Sequence, residues 1–123
     1  MTPPALDLSF VYNASDNDPT YIYNIVSLYI DTAPKGLLEL EKLVKNTNDY
    51  AAMARQAHFL KSSANIVKVR DMYADLVVIE AEAKLANGKE TIMPRLEQII
   101  ANLNEGMPLL KAEQKKCKPK KAK

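Results

Sequence analysis

The sequence is poor in residues on which several classes of fold and site depend. Its 123 residues include three glycines, one cysteine, one histidine and no tryptophan. Three glycines argue against a β-rich fold and against a glycine-rich phosphate loop. The single cysteine, Cys117, cannot form an internal disulfide. One cysteine and one histidine also fall short of the four ligands of a structural zinc site. We therefore expect no metal or cofactor that belongs to this chain.

Membrane and export signals are also missing from the sequence. No apolar run approaches the roughly 18 residues of a membrane span, and the N-terminus lacks the basic-then-apolar pattern of a signal peptide. Apolar residues make up 47% and charged residues 26% of the chain, as in ordinary globular proteins. The length suits one domain. We expect a cytoplasmic protein with no membrane contact.

The net charge of +2 combines two unlike regions. Residues 111–123 carry seven lysines and one glutamate, which leaves ten basic and fourteen acidic residues, a charge of −4, in residues 1–110. Because runs of like charge are usually solvated and disordered, we predict a bundle domain over residues 1–110 and a basic, disordered tail over residues 111–123. The tail either keeps the protein in solution or makes weak contacts with an acidic partner. The acidic body argues against nucleic acid as that partner.

Helix-start signals recur along the chain, and no strand pattern appears. A short first helix is predicted within residues 5–15. Asp18 and Pro19 suit the cap and the first position of a second helix. Asp49 is expected to cap a third helix, which ends near Val67.

Proline and glycine supply the expected helix stops. Pro34 predicts a break or kink in the second helix, after which the helix resumes at Leu37. Gly88 is expected at the C-terminal cap of the fourth helix. Gly106 and Pro108 are expected to interrupt the last long helix, after which residues 109–116 can add a further helical turn. Short connections favour neighbours that run in opposite directions. The predicted fold is all-α: an antiparallel, up-and-down four-helix bundle with a short extra N-terminal helix.

The only histidine, His58, lies in the segment "ARQAHFLKSSANIV". Apolar residues of its helix recur three or four apart, as on the core face of a bundle helix. They are Tyr50, Met53, Ala57, Leu60, Ala64 and Val67. At about 100° per residue, His58 lies roughly 130° from the centre of this stripe, with Lys61 and Asn65 on the same side. The imidazole is therefore predicted to be exposed. Phe59 lies on the other flank and is expected to pack against a neighbouring helix, with the docking of a partner as the alternative.

The surroundings of His58 suit a histidine that carries a phosphoryl group. Small and polar neighbours leave the ring open to another protein; they are Ala51, Ala54, Arg55 and Ser62. A neutral imidazole with a pKa of about 6.5 has a free nitrogen lone pair at physiological pH. Lys61, one turn later, can pair with an anion on the ring. Phosphoryl transfer needs little beyond positioning and charge neutralisation. The alternative is an exposed histidine with no role in the function.

The segment "AHFLKSSA" resembles the H-x-L-K-[GS]-S motif of histidine phosphotransfer (HPt) domains, which are helical bundles of two-component phosphorelays. The flanks resemble the family as well, from "LDLSFVYNASDNDPTYIYNIVSLYIDTAPKGLLELEKLV" before the motif to "ANGKETIMPRLEQI" after it. One departure is Lys68, which stands ten residues after the histidine, where members usually have glycine. This difference concerns the geometry of the turn more than the chemistry.

The resemblance implies a role for individual residues. His58 corresponds to the phosphorylated histidine and Lys61 to the lysine that stabilises the phosphate. Leu60 corresponds to the core leucine between them. The expected binding positions around the phosphohistidine are Ser62, Ala54, Asn65, Arg55, Glu80 and Lys84. No metal ligand is expected, and the divalent ion that transfer needs is expected from the partner.

The resemblance also implies the function and the partners. The chain is expected to accept a phosphoryl group from an aspartyl phosphate of a receiver domain and to pass it to another response regulator. Receiver domains, hybrid sensor histidine kinases or both are the expected partners. Phe59 follows the histidine where the dimerisation domain of histidine kinases has an acidic residue, so we expect no kinase activity from ATP. The alternative function is a non-catalytic helical adaptor in which His58 is incidental.

Overall fold

The computed structural model describes residues 4–86 and 88–119. These residues form five helices: α1 (Ser9–Ala14), α2 (Pro19–Asn46), α3 (Tyr50–Ala64), α4 (Met72–Lys84) and α5 (Lys89–Cys117). No strand occurs in this part of the chain, where the only β-type pairing is an isolated bridge. None of the five helices combines the length and the apolarity that crossing a membrane requires. The prediction of an all-α fold is confirmed.

The four long helices pack around one core. Helix α2 contacts α3 and α5, helix α4 contacts the same two helices, and the short α1 packs on α2. Apolar side chains with no exposed surface come from all four long helices; they include Val26, Leu40, Met53, Leu76, Ile79, Ile92, Leu96 and Ile99. The protein is therefore a helical bundle in which α3 and α4 lie side by side.

Two helices start where the sequence predicted. The Asp18 carboxylate accepts a hydrogen bond from the Thr20 N–H at 3.1 Å, and Pro19 occupies the first helical position. The Asp49 carboxylate accepts from the Ala52 N–H at 3.0 Å. Each cap satisfies a backbone donor that the first helical turn leaves unpaired.

The predicted break at Pro34 is wrong, because α2 continues through it. A proline inside a helix removes one backbone hydrogen bond and costs about 3 kcal/mol. The apolar face of α2 runs on past the proline, with Ala33, Leu37 and Leu40 all buried. Packing of such a face contributes more to helix stability than local propensity does. The helix therefore stays whole.

Gly36 lies inside α2, where it permits a close approach between α2 and α3. A Cβ atom at this position would lie 2.5 Å from Cδ2 of Leu60, and the Gln56 side chain donates to the Gly36 carbonyl at 3.0 Å. Leu60 is the core residue between His58 and Lys61. The missing Cβ thus helps set how deeply the histidine helix packs against α2.

The prediction that the tail is disordered from residue 111 needs correction. Helix α5 contains Gly106 and Pro108 and continues to Cys117, so residues 111–117 are helical. The hydroxyl of Tyr12 donates to the Glu113 carboxylate, and Cys117 is buried. The run of lysines led to a wrong prediction because Glu113 and Cys117, which make contacts within the fold, lie between these lysines. Residues 120–123 lie outside the described residues, so their disorder stays a prediction.

The connections on either side of α4 explain two further positions. Lys68 exchanges backbone hydrogen bonds with Asp7, at 2.7 and 3.2 Å, in the isolated bridge. The turn after α3 is therefore closed by the N-terminal segment without a glycine at this position. Gly88 has a φ of 94°, which glycine adopts without strain, but it directly precedes α5, whereas α4 ends at Lys84.

Candidate functional site

His58 projects from α3 on the side away from the core. The seam predicted for this helix is confirmed: Met53, Ala57, Leu60 and Ala64 are buried. The His58 side chain is 70% exposed. The helical wheel therefore assigned the orientation of the imidazole correctly.

The carboxylate of Glu80, on the adjacent helix α4, binds three side chains. Its Oε1 atom lies 2.6 Å from Nζ of Lys61. Its Oε2 atom lies 3.0 Å from Nδ1 of His58 and 3.2 Å from Nζ of Lys84. The Glu80 side chain itself is only 8% exposed. We call these four residues the Glu80 cluster.

The electrostatics of this cluster keep Glu80 ionised. The ammonium group of Lys61 is the main cause, with smaller contributions from Lys84 and His58, and together they lower the pKa of Glu80 to about 2. Burial works in the opposite direction, because it disfavours the charged form. At neutral pH the site therefore contains a fixed negative charge next to the exposed imidazole.

The ionised carboxylate determines which nitrogen of His58 is free. A carboxylate has no hydrogen to donate and can only accept hydrogen bonds. The contact between Nδ1 and Glu80 therefore requires the proton of a neutral imidazole to be on Nδ1. The lone pair is then on Nε2, on the opposite edge of the ring. The exposed ring thus has a nucleophilic nitrogen and a fixed orientation.

The other predicted positions divide into two groups. Arg55, Ser62 and Asn65 are exposed on α3 around the histidine. The Ser62 hydroxyl donates to the Phe59 carbonyl at 3.0 Å. Ala54 was expected on the open face but is buried. It lies one turn before His58 and close enough to the core stripe for a neighbouring helix to cover its small side chain.

The exposure of Phe59 differs from the favoured prediction. The residue was expected to pack against a neighbouring helix, but it is 70% exposed. Since successive helix positions differ by about 100°, Phe59 lies as far from the core stripe as His58 does, on the opposite side. The wheel that predicted an exposed histidine could therefore have predicted an exposed phenylalanine.

Exposed apolar side chains flank the histidine on two sides. Phe59 on α3 and Ile66 just after the end of that helix are both exposed. Ile66 also lines a shallow groove between α2 and α3, into which Leu28 projects from α2. On α4, Tyr73 and Val77 are exposed at helical spacing from Glu80. Within the described ranges, no three acidic, cysteine or histidine side chains lie together in a way that could hold a metal ion.

Comparison with known proteins gives one match. A family model described as the Hpt domain matches residues 24–110, which cover well over half of the chain and contain the whole Glu80 cluster. No curated protein and no solved structure matches the chain.

Proposed function

The chain belongs to the Hpt domain family, and we propose that it carries a phosphoryl group on His58 between receiver domains. Hpt domains are phosphocarrier modules of phosphorelays without kinase activity, and they interact with receiver and kinase domains. In this chain the donor is an aspartyl phosphate of a receiver, which can be part of a hybrid sensor histidine kinase. The acceptor is the aspartate of another response regulator.

The transfer step uses the two ring nitrogens differently. Nε2 of His58 attacks the phosphorus, an N–P bond forms, and the P–O bond to the receiver aspartate breaks. The aspartate leaves as a carboxylate. The ring becomes positively charged while its proton stays on Nδ1, 3.0 Å from the Glu80 carboxylate. This carboxylate stabilises the developing charge. The reverse sequence returns the phosphoryl group to an aspartate.

Lys61 supplies positive charge to the phosphorylated site. Its side chain is 21% exposed and forms the shortest contact of the Glu80 cluster. Charge neutralisation is the main requirement of phosphoryl transfer beyond positioning. The divalent ion of the reaction is proposed to come from the receiver, because the Glu80 carboxylate beside His58 already binds the imidazole and two lysines.

The receiver is proposed to dock on the face around His58. Ser62, one turn after the histidine, is small and leaves room for close approach. Exposed Phe59 and Ile66 on one flank, and Tyr73 and Val77 on the other, offer apolar surface on both sides of the ring. Exposed apolar patches often mark protein-protein interaction sites.

We also propose that α2–α5 run up and down in antiparallel order. Contacts at both ends of the bundle support this arrangement. Lys89, which begins α5, donates to the carbonyl of Thr47 just after α2. Gln114 near the end of α5 donates to Ser27 near the start of α2 at 2.9 Å. The domain would then extend to Cys117. The cytoplasmic location stays a prediction from the sequence.

One observation carries the proposal: the exposed His58 is held through Nδ1 by a buried, ionised carboxylate that also binds two lysines. The test is incubation of the protein with a phosphorylated receiver in the presence of Mg²⁺. We expect phosphate on the protein that is labile in acid and stable in base, as expected of an N–P bond. The His58→Gln variant should take up none.

The same experiment tests the adaptor alternative. If the protein binds the receiver but acquires no phosphate, His58 is incidental and the chain acts as a non-catalytic helical binding module.

A further inference from the structure

The two lysines of the Glu80 cluster differ in ways that predict different behaviour upon phosphorylation. Lys61 binds Oε1 of Glu80 at 2.6 Å and is 21% exposed. Lys84 binds Oε2 at 3.2 Å and is 67% exposed. Oε2 is also the oxygen that His58 contacts, so Lys84 is the lysine that shares its carboxylate oxygen with the ring.

We propose that Lys84 is an exchangeable cation, which leaves Glu80 for the phosphoryl group on Nε2 of His58, while Lys61 stays with Glu80. This proposal rests on the proposed function and assigns its two lysines separate roles. In the unmodified protein the Glu80 carboxylate binds the ammonium group of Lys84. In the phosphorylated protein the new anion takes its place.

The cost of breaking each contact decides which lysine moves. The pair between Lys84 and Glu80 joins residues four apart on one helix through an exposed ammonium group. Pairs of this spacing contribute little stability. Lys61 joins α3 to α4 through a buried carboxylate, and removing one partner from a buried ion pair is strongly destabilising. After Lys84 leaves, Glu80 still has Lys61 and the Nδ1 hydrogen. No buried charge is then left unpaired.

The phosphoryl group competes well for Lys84. It offers three acceptor oxygens and more negative charge than a carboxylate. The stem of Lys84 is largely in solvent and is free to turn toward Nε2.

The test starts from protein phosphorylated chemically with phosphoramidate, a small donor that needs no receiver. Loss of phosphohistidine is followed by ³¹P NMR in wild type and in the Lys84→Ala variant. We expect loss to be about three- to tenfold faster in the variant, the effect of one exposed charge-assisted contact. The reason is that the bound phosphoryl group carries more charge on its oxygens than a metaphosphate-like transition state does.

The chain offers a matched control in Lys45. It forms the same type of contact with Glu41, four residues earlier on its helix, at 3.3 Å, and is 56% exposed. Lys45→Ala should lose phosphate at the wild-type rate. Lys61→Ala should lower the melting temperature, whereas Lys84→Ala should not.

Three outcomes would overturn the proposal: wild-type decay in Lys84→Ala, equal acceleration in Lys45→Ala, or no phosphorylation of His58 by phosphoramidate. A failure of the proposed function would be distinct, because chemical phosphorylation and its decay would still be measurable while transfer from receivers did not occur.

Discussion

The carboxylates of Glu80 and Glu113 each bind three side chains from two helices, but the two sets of partners differ in chemistry. Glu80 joins α3 to α4, and its partners are an exposed imidazole and two ammonium groups. Glu113 joins α5 to α1, and its partners are the Tyr12 hydroxyl, the Cys117 thiol and the exposed ammonium of Lys116. The geometry is similar, and the chemistry of the partners differs.

The partners determine what each carboxylate can do. Cations lower the pKa of Glu80 to about 2 and so keep it charged beside the exposed imidazole of His58. The hydrogen bond to Glu113 instead raises the pKa of the Tyr12 phenol, and burial raises that of the Cys117 thiol. These two groups stay neutral and unreactive at physiological pH. We infer that the Glu113 contacts hold the end of α5 in place, whereas the Glu80 contacts organise a reactive site.

The largest expected effect is a loss of phosphoryl acceptance without a loss of stability when His58 is replaced. His58→Gln should abolish phosphoryl acceptance, because no other imidazole is present. Its exposed position predicts a change in the free energy of unfolding within about 0.5 kcal/mol. Phosphorylation assays and thermal melts measure the two effects. A loss of several kcal/mol would mean that the Glu80 cluster is mainly structural, like the Glu113 contacts.

The next effect concerns the end of α5. Truncation after Leu110 removes Glu113, the hydrogen bond of Gln114 and the buried Cys117, and should cost about 3 kcal/mol from two hydrogen bonds and the lost burial. Truncation after Pro119 keeps every described contact of α5 and should change stability by less than about 0.5 kcal/mol. Denaturant titration compares the two. Equal stability of both truncated proteins would contradict a structural role for residues 111–117.

Removing each carboxylate in turn compares the two clusters directly. Glu80→Ala should cost about 2 kcal/mol, because Lys61 loses its partner in a poorly exposed position, and it should also slow phosphoryl acceptance. Glu113→Ala should cost about 1 kcal/mol, the value of a typical hydrogen bond, and should leave acceptance unchanged. Stability and acceptance are measured on the same samples. Slower acceptance in Glu113→Ala would remove the functional distinction between the clusters.

The last effect is a dependence of stability on pH, to which Glu80 is expected to contribute strongly. Its folded-state pKa of about 2 lies below its ordinary value of 4.5. The stabilisation is therefore present above pH 4.5 and is lost as pH falls toward 2. The difference in the free energy of unfolding between wild type and Glu80→Gln should shrink over this range. A difference that stays constant from pH 6 to pH 2 would show that the charge of Glu80 is not what stabilises the fold.

Local features of the sequence were sufficient for much of the fold. Asp18, Pro19 and Asp49 define helix starts because caps involve only a few neighbouring residues. The exposed position of His58 followed from the helical period alone. The helix breaks predicted at Pro34 and Gly106 do not occur, because helix continuity at these positions depends on packing between helices rather than on neighbouring residues. Proline and glycine weaken a helix locally, but the burial of apolar residues on both sides of each position outweighs that cost.

The candidate site could be predicted only in part. His58 and Lys61 lie one turn apart on a single helix, so their proximity is a local property. Glu80 and Lys84 were expected near His58 from the family resemblance, but the resemblance did not predict their contacts or distances. Their contacts cross from α4 to α3, and the connecting residues do not encode the distance between the two helices. The exposure of Phe59, by contrast, could have been predicted, because the helical period places it as far from the core stripe as His58.

The sequence by itself therefore determined the helical class, two of the helix starts and the outward direction of the histidine, since these depend on periodicity and capping within a few turns. Only the tertiary structure decided that α2 is unbroken, that α5 extends to Cys117 and that one buried carboxylate binds His58, Lys61 and Lys84 together. These features depend on packing energies and side-chain distances between helices, which arise only once the bundle has formed.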